Sequence, residues 1–269
     1  MLNDLLDKKE EIKLNEQDLG FFKGKSILIT GAYGFLGTKI AHVLVKAFPE
    51  RLLLLGQDAE RLESLSGELW KICPEVPVGL AQNNIRERLA TRKIFAENRP
   101  SVVIHAASHK HVSLMENQVS EAVKNNILGT WNVAQAAIDG GCSAFVLLSS
   151  RLAANPASAL GASKRIAEFI VRSLNKKEKT RFNSVRLCNV LGSTASVAHV
   201  FQEQILRGSP LTITHPDMKR FFMSPDSAAN LCILSAAKNL GEVITPDIRT
   251  PLKILDLANH IASVNGLKI

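Results

Sequence analysis

Short apolar runs alternate with longer amphipathic ones along the first 190 residues of the chain. SILIT (Ser26–Thr30), RLLLL (Arg51–Leu55), VPVGL (Val76–Leu80), SVVIHA (Ser101–Ala106), AFVLLS (Ala144–Ser149) and FNSVRL (Phe182–Leu187) are short and bounded by turn residues, which predicts buried strands. Between them, apolar residues recur at helical spacing over Phe35–Phe48, Ala59–Trp70, Glu87–Glu97, Val119–Asp139 and Leu160–Leu174. Strands buried on both faces and separated by helices predict a parallel sheet with helices on either side, the α/β doubly wound class. Beyond Val190 the alternation stops. Two further helical patterns, Ser196–Leu206 and Pro225–Lys238, enclose a Pro- and His-bearing stretch, LRGSPLTITHPDMKRFF. This tail is expected to cap the carboxyl edge of the sheet, where open α/β folds bind ligands.

The 269 residues, 46% of them hydrophobic, suffice for one large or two small domains with an ample core. No apolar run approaches the roughly 20 residues a bilayer span needs. The charge-rich start, MLNDLLDKKEEIKLNEQDLG, has no uninterrupted apolar segment, so neither a secretion signal nor an anchor is expected, and a cytoplasmic location is the default. Cys73, Cys142, Cys188 and Cys232 are far apart and form no CxxC, so neither a zinc site nor a disulfide framework is expected. The net charge of +8 comes from scattered Lys and Arg with no aromatic interleaving, which argues against nucleic acid and for a small phosphorylated ligand.

The most specific motif follows the first strand: Thr30-Gly31-Ala32-Tyr33-Gly34-Phe35-Leu36-Gly37, leading into a helix. Glycines allow a tight turn and close backbone approach, and the helix presents free N–H groups and a positive dipole end to a pyrophosphate. Strand before and helix after predict a dinucleotide site. At the tip of the second strand, Gln57 replaces the expected acid, with Asp58 and Arg61 following. The missing tip acid leans toward NADP, with NAD the alternative, while Asp58 reads equally as a ribose ligand or as the N-cap of the next helix. The expected organisation is a helical appendage over 1–22, a Rossmann-type NAD(P)-binding domain over 23–190 and a small substrate-binding region over 191–269.

Five ordered segments, HAASHKHVSLME (His105–Glu116), EAVKNNILGTWNV (Glu121–Val133), SSRLAANPASALGASKRIAE (Ser149–Glu168), VRLCNVLGSTASV (Val185–Val197) and THPDMKRFFMS (Thr214–Ser224), carry a resemblance. From Phe22 to about Ala262 the chain resembles the extended short-chain dehydrogenases/reductases of polysaccharide biosynthesis, in particular the UDP-N-acetylglucosamine 4,6-dehydratase group. The resemblance implies oxidation of the sugar at C4, loss of water across C5–C6 and return of the hydride at C6. It also implies a UDP-sugar or related nucleotide-sugar as partner, and a homo-oligomer. Besides the glycine loop, it assigns Asn84 and Ile85 to the adenine, Ala106, Ala107 and Lys110 to the nicotinamide ribose, and Asn126, Ser149 and Lys164 to the cofactor side. Asn189 and Val190 fall beside the nicotinamide and sugar, and Ser196, Val197, His215 and Arg220 match nucleotide-sugar contacts.

The reaction centre departs from the family pattern. Four residues before Lys164, where short-chain dehydrogenases carry a tyrosine, stands Leu160, and the chain's one tyrosine is Tyr33. The Asp-Lys pair implied after Ser149-Ser150 is here Arg151-Leu152. Leucine transfers no proton and arginine stays protonated. Ser150, Arg151, Lys164 and His109 are the side chains expected to meet the substrate, with neutral His109 as proton acceptor. His105 reads as a core histidine, and His215 before Pro216 as a turn residue or a ligand contact. His109-Lys110-His111 lacks a carboxylate or thiolate partner, so no metal is expected. The chain ends at Ile269, where family members commonly continue, so some substrate contacts are expected to be missing. Two alternatives stand beside a nucleotide-sugar-modifying enzyme: a catalytically silent NADP- or nucleotide-sugar-binding regulator or scaffold, and an NADP-dependent ketoreductase.

Overall fold

The computed structural model describes residues 5–7, 10–175, 179–193 and 196–267. In chain order the elements are α1 (Glu16–Gly20), β1 (Ser26–Thr30), α2 (Phe35–Leu44), β2 (Arg51–Gly56), α3 (Ala59–Ile72), β3 (Val78–Gln82), α4 (Arg88–Asn98) and β4 (Val102–His105). These are followed by α5 (Val112–Asn117), α6 (Val119–Ala122), α7 (Thr130–Asp139), β5 (Ala144–Ser150), α8 (Ala159–Asn175), β6 (Arg181–Leu187), β7 (Asn189–Val190) and α9 (Val197–Leu206). The last are β8 (Lys219–Arg220), β9 (Phe222–Met223), α10 (Pro225–Ala237), β10 (Val243–Ile244), β11 (Leu252–Lys253) and α11 (Ile254–Val264).

The chain forms two compact units, one of Leu14–Arg186 with Ala229–Thr245 and one of Met1–Lys13, Leu187–Ala228 and Pro246–Ile269. The first unit holds a seven-stranded sheet in the order β10-β6-β5-β4-β1-β2-β3, a Rossmann-type arrangement with β1 and β4 adjacent at the point where the order reverses. Parallel register sets Thr30 beside both Leu55 and His105, so the carboxyl tips of β1, β2 and β4 lie level. Leu28, Leu53, Val103, Phe145 and Phe182 are buried in one cluster with Phe95 and Val133 from the helices, which explains why these strands read as unbroken apolar runs.

In the second unit, β7 pairs with β9 and β8 with β11, while α9 and α11 enclose a cluster that includes Phe201, Phe222, Leu257 and Ile261. The N-terminal segment is strapped to this unit: Glu10 Oε1 accepts from the backbone N–H groups of Arg249 (2.8 Å) and Thr250 (3.0 Å). The expected boundaries change accordingly. Residues 1–22 are not one appendage, because α1, capped reciprocally by Asn15 and Asp18, packs with the sheet unit through an Asp18–Lys238 ion pair of 2.6 Å. Nor is 191–269 one region, because β10 extends the sheet beside β6 and carries residues 229–245 with it. Among the described residues no helix is long and apolar enough to cross a membrane.

Three local expectations also shift. The helix over Val119–Asp139 is interrupted by a wide turn over Val123–Gly129, a π-type segment that swings Asn125 and Asn126 inward. The third strand starts at Val78 rather than Val76, since Pro77 has no N–H to donate, although its carbonyl still accepts from Leu52 N at 2.9 Å. Helices α5 and α11 are additions to the sequence reading. In α11, buried Ile254, Leu257, Ala258, Ile261 and Ala262 follow the helical repeat that could have revealed it.

Candidate functional site

The glycine loop closes on itself at the sheet's switch point. Gly31 adopts φ +63°, and a Cβ there would meet Ala107 Cα and N at 2.8 Å. A Cβ on Gly37 would come within 2.3 Å of the Gly31 carbonyl oxygen and 2.7 Å of that of Ala32. Gly34 precedes α2 with extended backbone and no side-chain cap, and Phe35, Leu36 and Gly37 form its first turn. The unpartnered N–H groups and positive dipole end of this ten-residue helix suit a pyrophosphate. The residues present therefore fit a dinucleotide.

At the tip of β2, the Tyr33 ring covers Gly56, where a Cβ would lie 2.3 Å from Tyr33 Cε1. Tyr33 Oη accepts from Gln57 N at 3.2 Å, and the Gln57 carbonyl accepts from Gln82 Nε2 at 3.1 Å. The Arg61 guanidinium stands 4.5 Å over the Tyr33 ring and donates to the Tyr33 carbonyl at 3.2 Å. Asp58 caps α3, its Oδ1 accepting from Arg61 N at 3.1 Å. Of the two readings of Asp58, the cap is the one its geometry fulfils. Beyond β3, Asn84 Oδ1 accepts from Arg86 N, and buried Ile85 packs on Gly129.

The β4 edge is fixed by a chain of hydrogen bonds. Ala107 N–H donates to Thr30 Oγ1 (3.1 Å), which lies 2.7 Å from His105 Nδ1, while His105 Nε2 lies 3.1 Å from Thr130 Oγ1. Thr130 Oγ1 donates to the Asn126 carbonyl at 2.7 Å, so it accepts from His105, whose proton is on Nε2. Burial pushes the His105 imidazole down to about 3, and it stays neutral. Asn126 Oδ1 accepts from His109 N at 2.8 Å, and Asn126 Nδ2 donates to the His109 carbonyl and to Ser163 Oγ. Buried Lys164 donates to Ser108 Oγ (2.7 Å) and to the Leu148 carbonyl (3.0 Å), and burial lowers its ammonium to about 8. Lys110 is exposed and Ala106 half-buried on the same loop.

Next to Lys164 along α8, Glu168 is 2% exposed and meets Arg186 through both carboxylate oxygens, at 2.9 and 2.6 Å. Ser149 Oγ donates to Glu168 at 2.6 Å. Ser150 caps the short turn over Arg151–Ala153 and accepts from Leu152 N at 3.3 Å. Arg151 and Leu152 are exposed, whereas Leu160 is buried in a small apolar cluster with Met115 and Ala122.

In the second unit, Asn189 Nδ2 donates to the Phe221 carbonyl at 3.2 Å, and Val190 is buried. Ser196 caps α9 by accepting from His199 N, and Val197 packs on that unit's apolar cluster. His215 Nδ1 accepts from Asp217 N at 3.1 Å, which fulfils its turn reading. Arg220 is exposed on β8.

Comparison with known proteins places these features in a lineage, since residues 27–269 match a family described as polysaccharide biosynthesis protein. The chain belongs to that family. It is 42% identical over 250 residues to the capsular polysaccharide biosynthesis protein CapD of Staphylococcus aureus, covering 91% of this chain and 41% of that one. It is 32% identical over 248 residues to a UDP-N-acetylglucosamine 4,6-dehydratase (inverting) of Campylobacter jejuni subsp. jejuni serotype O:23/36 (strain 81-176), covering 90% and 72%. Among solved structures, Pen from Bacillus thuringiensis superposes with a TM-score of 0.84 at 29% identity, covering 92% of this chain and 76% of that one. The chain spans less than half the length of the longer polysaccharide biosynthesis relatives that it matches.

Within this member of the polysaccharide biosynthesis family, the sheet unit gathers the glycine loop, Gln57, Arg61, Asn84, Ala107, Asn126, Ser149 and Lys164 along the carboxyl ends of its strands. His109, expected as a proton acceptor, turns its Nε2 to the donors of Arg86 at 3.1 Å. Ser196, expected as a ligand contact, caps α9 through its Oγ, and His215, read as a turn residue or a ligand contact, uses Nδ1 in its turn. Ser108, Arg86, Glu168 and Arg186 were missed. For Glu168 the available signal was a carboxylate one helical turn after Lys164 on the face that α8 buries.

Proposed function

We propose that this protein binds NADP through the sheet unit and acts on a nucleoside-diphosphate sugar, UDP-N-acetylglucosamine being the first to test, by hydride exchange at the sugar C4 with an altered set of proton-transfer groups. The observation that carries this reading is the pairing of a complete glycine cradle with a buried lysine, Lys164, which reaches from α8 to the loop after β4 and the carboxyl end of β5. Gly31, Gly34, Gly37 and the first N–H groups of α2 would hold the pyrophosphate, and Lys164 the ribose hydroxyls. NADP is favoured because Arg61 lies at the β2 tip while the Asp58 carboxylate is committed to its helix. A bound nicotinamide would accept and return the hydride, and all proton traffic falls to the chain.

Oxidation of a sugar hydroxyl releases a proton that Leu160 and Arg151 cannot take. Lys164, which burial brings to about 8 and which lies 2.7 Å from Ser108 Oγ, is the group suited to receive it through the serine hydroxyl, but only as the neutral amine, the minor form at pH 7 that grows as the pH rises past 8. Elimination of water needs a further acid and base, and the Arg151-Leu152 pair supplies neither. The second reading, a silent regulator of an active paralogue, is favoured by Leu160 being packed into apolar surroundings.

Calorimetric titration with NADP⁺, NAD⁺ and UDP-N-acetylglucosamine, followed by mass spectrometry of the sugar, separates the readings. Binding with conversion supports the enzyme, and binding without conversion supports the silent protein. Absence of binding by both the cofactors and the sugar nucleotide refutes both. The double variant Arg151→Asp with Leu152→Lys is expected to raise water loss from the sugar, and no gain despite retained sugar binding counts against loss of that pair as the cause.

A further inference from the structure

His109 is held from three directions. One side chain, Asn126, grips its backbone on both sides, accepting from its N–H and donating to its carbonyl. Asn126 is itself braced by Asn125 Nδ2 at 3.2 Å and by Ser163. The imidazole is fixed by Arg86, whose Nη2 lies 3.1 Å from His109 Nε2 and 2.6 Å from Glu121 Oε2.

A guanidinium has donors and no acceptor, so Nε2 must offer its lone pair. A neutral imidazole with its lone pair on Nε2 carries the proton on Nδ1. Among the described residues Nδ1 has no hydrogen-bond partner, and the half-buried ring stands on the loop that leaves the carboxyl end of β4. Such edges are where open α/β sheets bind ligands.

We infer that Arg86 is a positioning residue that locks His109 into the neutral Nδ1–H tautomer, and that His109 donates this N–H to an oxygen of the bound nucleotide sugar. The ligand part rests on the function proposed above, whereas the tautomer does not. His109 thereby becomes a hydrogen-bond donor at neutral pH rather than a base. Burial holds its pKa below the ordinary histidine value, the positive charge of Arg86 acts in the same direction, and Glu121 opposes them. A neutral donor suits an oxygen that gains negative charge, because its proton is held without the cost of a buried cation.

The test uses ¹⁵N-labelled full-length protein and reads the imidazole nitrogens by long-range ¹⁵N–¹H correlation. His109 is expected to show a protonated Nδ1 and a bare Nε2 at neutral pH. In Arg86→Met the ring is expected to shift to the commoner Nε2–H form and to titrate at higher pH, while Arg86→Lys, which keeps a donor, preserves the original tautomer. A bare Nδ1 in the unaltered protein, or an unchanged tautomer in Arg86→Met, overturns the positioning role.

Titration with UDP and then UDP-N-acetylglucosamine identifies the acceptor. A shift of the Nδ1 signal with UDP alone assigns a diphosphate oxygen, and one with the sugar nucleotide only assigns a sugar oxygen. His109→Asn, whose amide N–H can stand in for Nδ1–H, is expected to keep sugar-nucleotide affinity within about threefold, and His109→Leu to lose roughly tenfold to a hundredfold. Equal affinity in both variants overturns the donor role. Absence of sugar-nucleotide binding in the unaltered protein overturns the proposed function and the ligand part together, with the tautomer still decided by the free protein's spectrum.

Discussion

An alanine at Gly37 places a methyl carbon 2.3 Å from the Gly31 carbonyl oxygen and 2.7 Å from that of Ala32. Unstrained contacts of this kind lie at about 3.5 Å or beyond, so the turn must open by roughly 1 Å. Both obstacles are backbone atoms of the loop, and neither can rotate aside. Overpacking costs about 1–3 kcal/mol, partly offset by the roughly 1 kcal/mol that alanine gains over glycine in a helix. The net loss of up to about 2 kcal/mol corresponds to a fall in Tm of up to roughly 8 °C for a chain near this size. Gly67 on α3 provides the control, since a Cβ there meets nothing within 4 Å. Gly67→Ala is expected to stabilise by about 0.5–1 kcal/mol. Thermal melts with and without NADP⁺, together with calorimetric titration, read both effects: Gly37→Ala should weaken NADP⁺ at least about tenfold, and Gly67→Ala should leave it unchanged. A Gly37→Ala protein with the original Tm and NADP⁺ affinity would refute the close-packed cradle.

His105 makes stability depend on pH. Its folded pKa is near 3 against an ordinary 6.5, so the unfolded chain takes up a proton below pH 6.5 that the folded chain refuses. Stability then falls as the pH drops from 6.5 toward 3, by about 2 kcal/mol at pH 5. Urea midpoints at pH 7 and pH 5 should converge in His105→Gln, and equal acid sensitivity in both proteins would count against this. Glu168→Gln leaves the largely buried Arg186 guanidinium without its bidentate carboxylate and is expected to cost about 3 kcal/mol in urea unfolding. An unchanged midpoint would show that the pair contributes nothing. Arg61→Ala should lower NADP⁺ affinity about tenfold with NAD⁺ unaffected, and parallel loss of both would show that Arg61 supports the loop rather than the 2′-phosphate.

What the sequence determined by itself was everything that depends on near neighbours. Strand β1 begins and ends where its apolar run does, and the glycine turn with its following helix was legible because spacing along a strand, a turn and a helix is local. Leu160, Arg151 and Leu152 were equally plain, since counting from Lys164 needs no coordinates. Only the tertiary structure decided the partners of the polar groups. The π-type turn that aims Asn126 at His109, the commitment of Arg186 to Glu168, the two threonines that bracket the buried His105 ring and the return of β10 to the sheet all join residues separated in the chain. Burial makes each of these pairings obligatory, because a polar group removed from water must find a partner, and which partner it meets is set by how the chain closes. For the same reason His109 reads as a base in sequence and as a donor in the fold: its proton is placed by Arg86, which reaches it from the turn between β3 and α4.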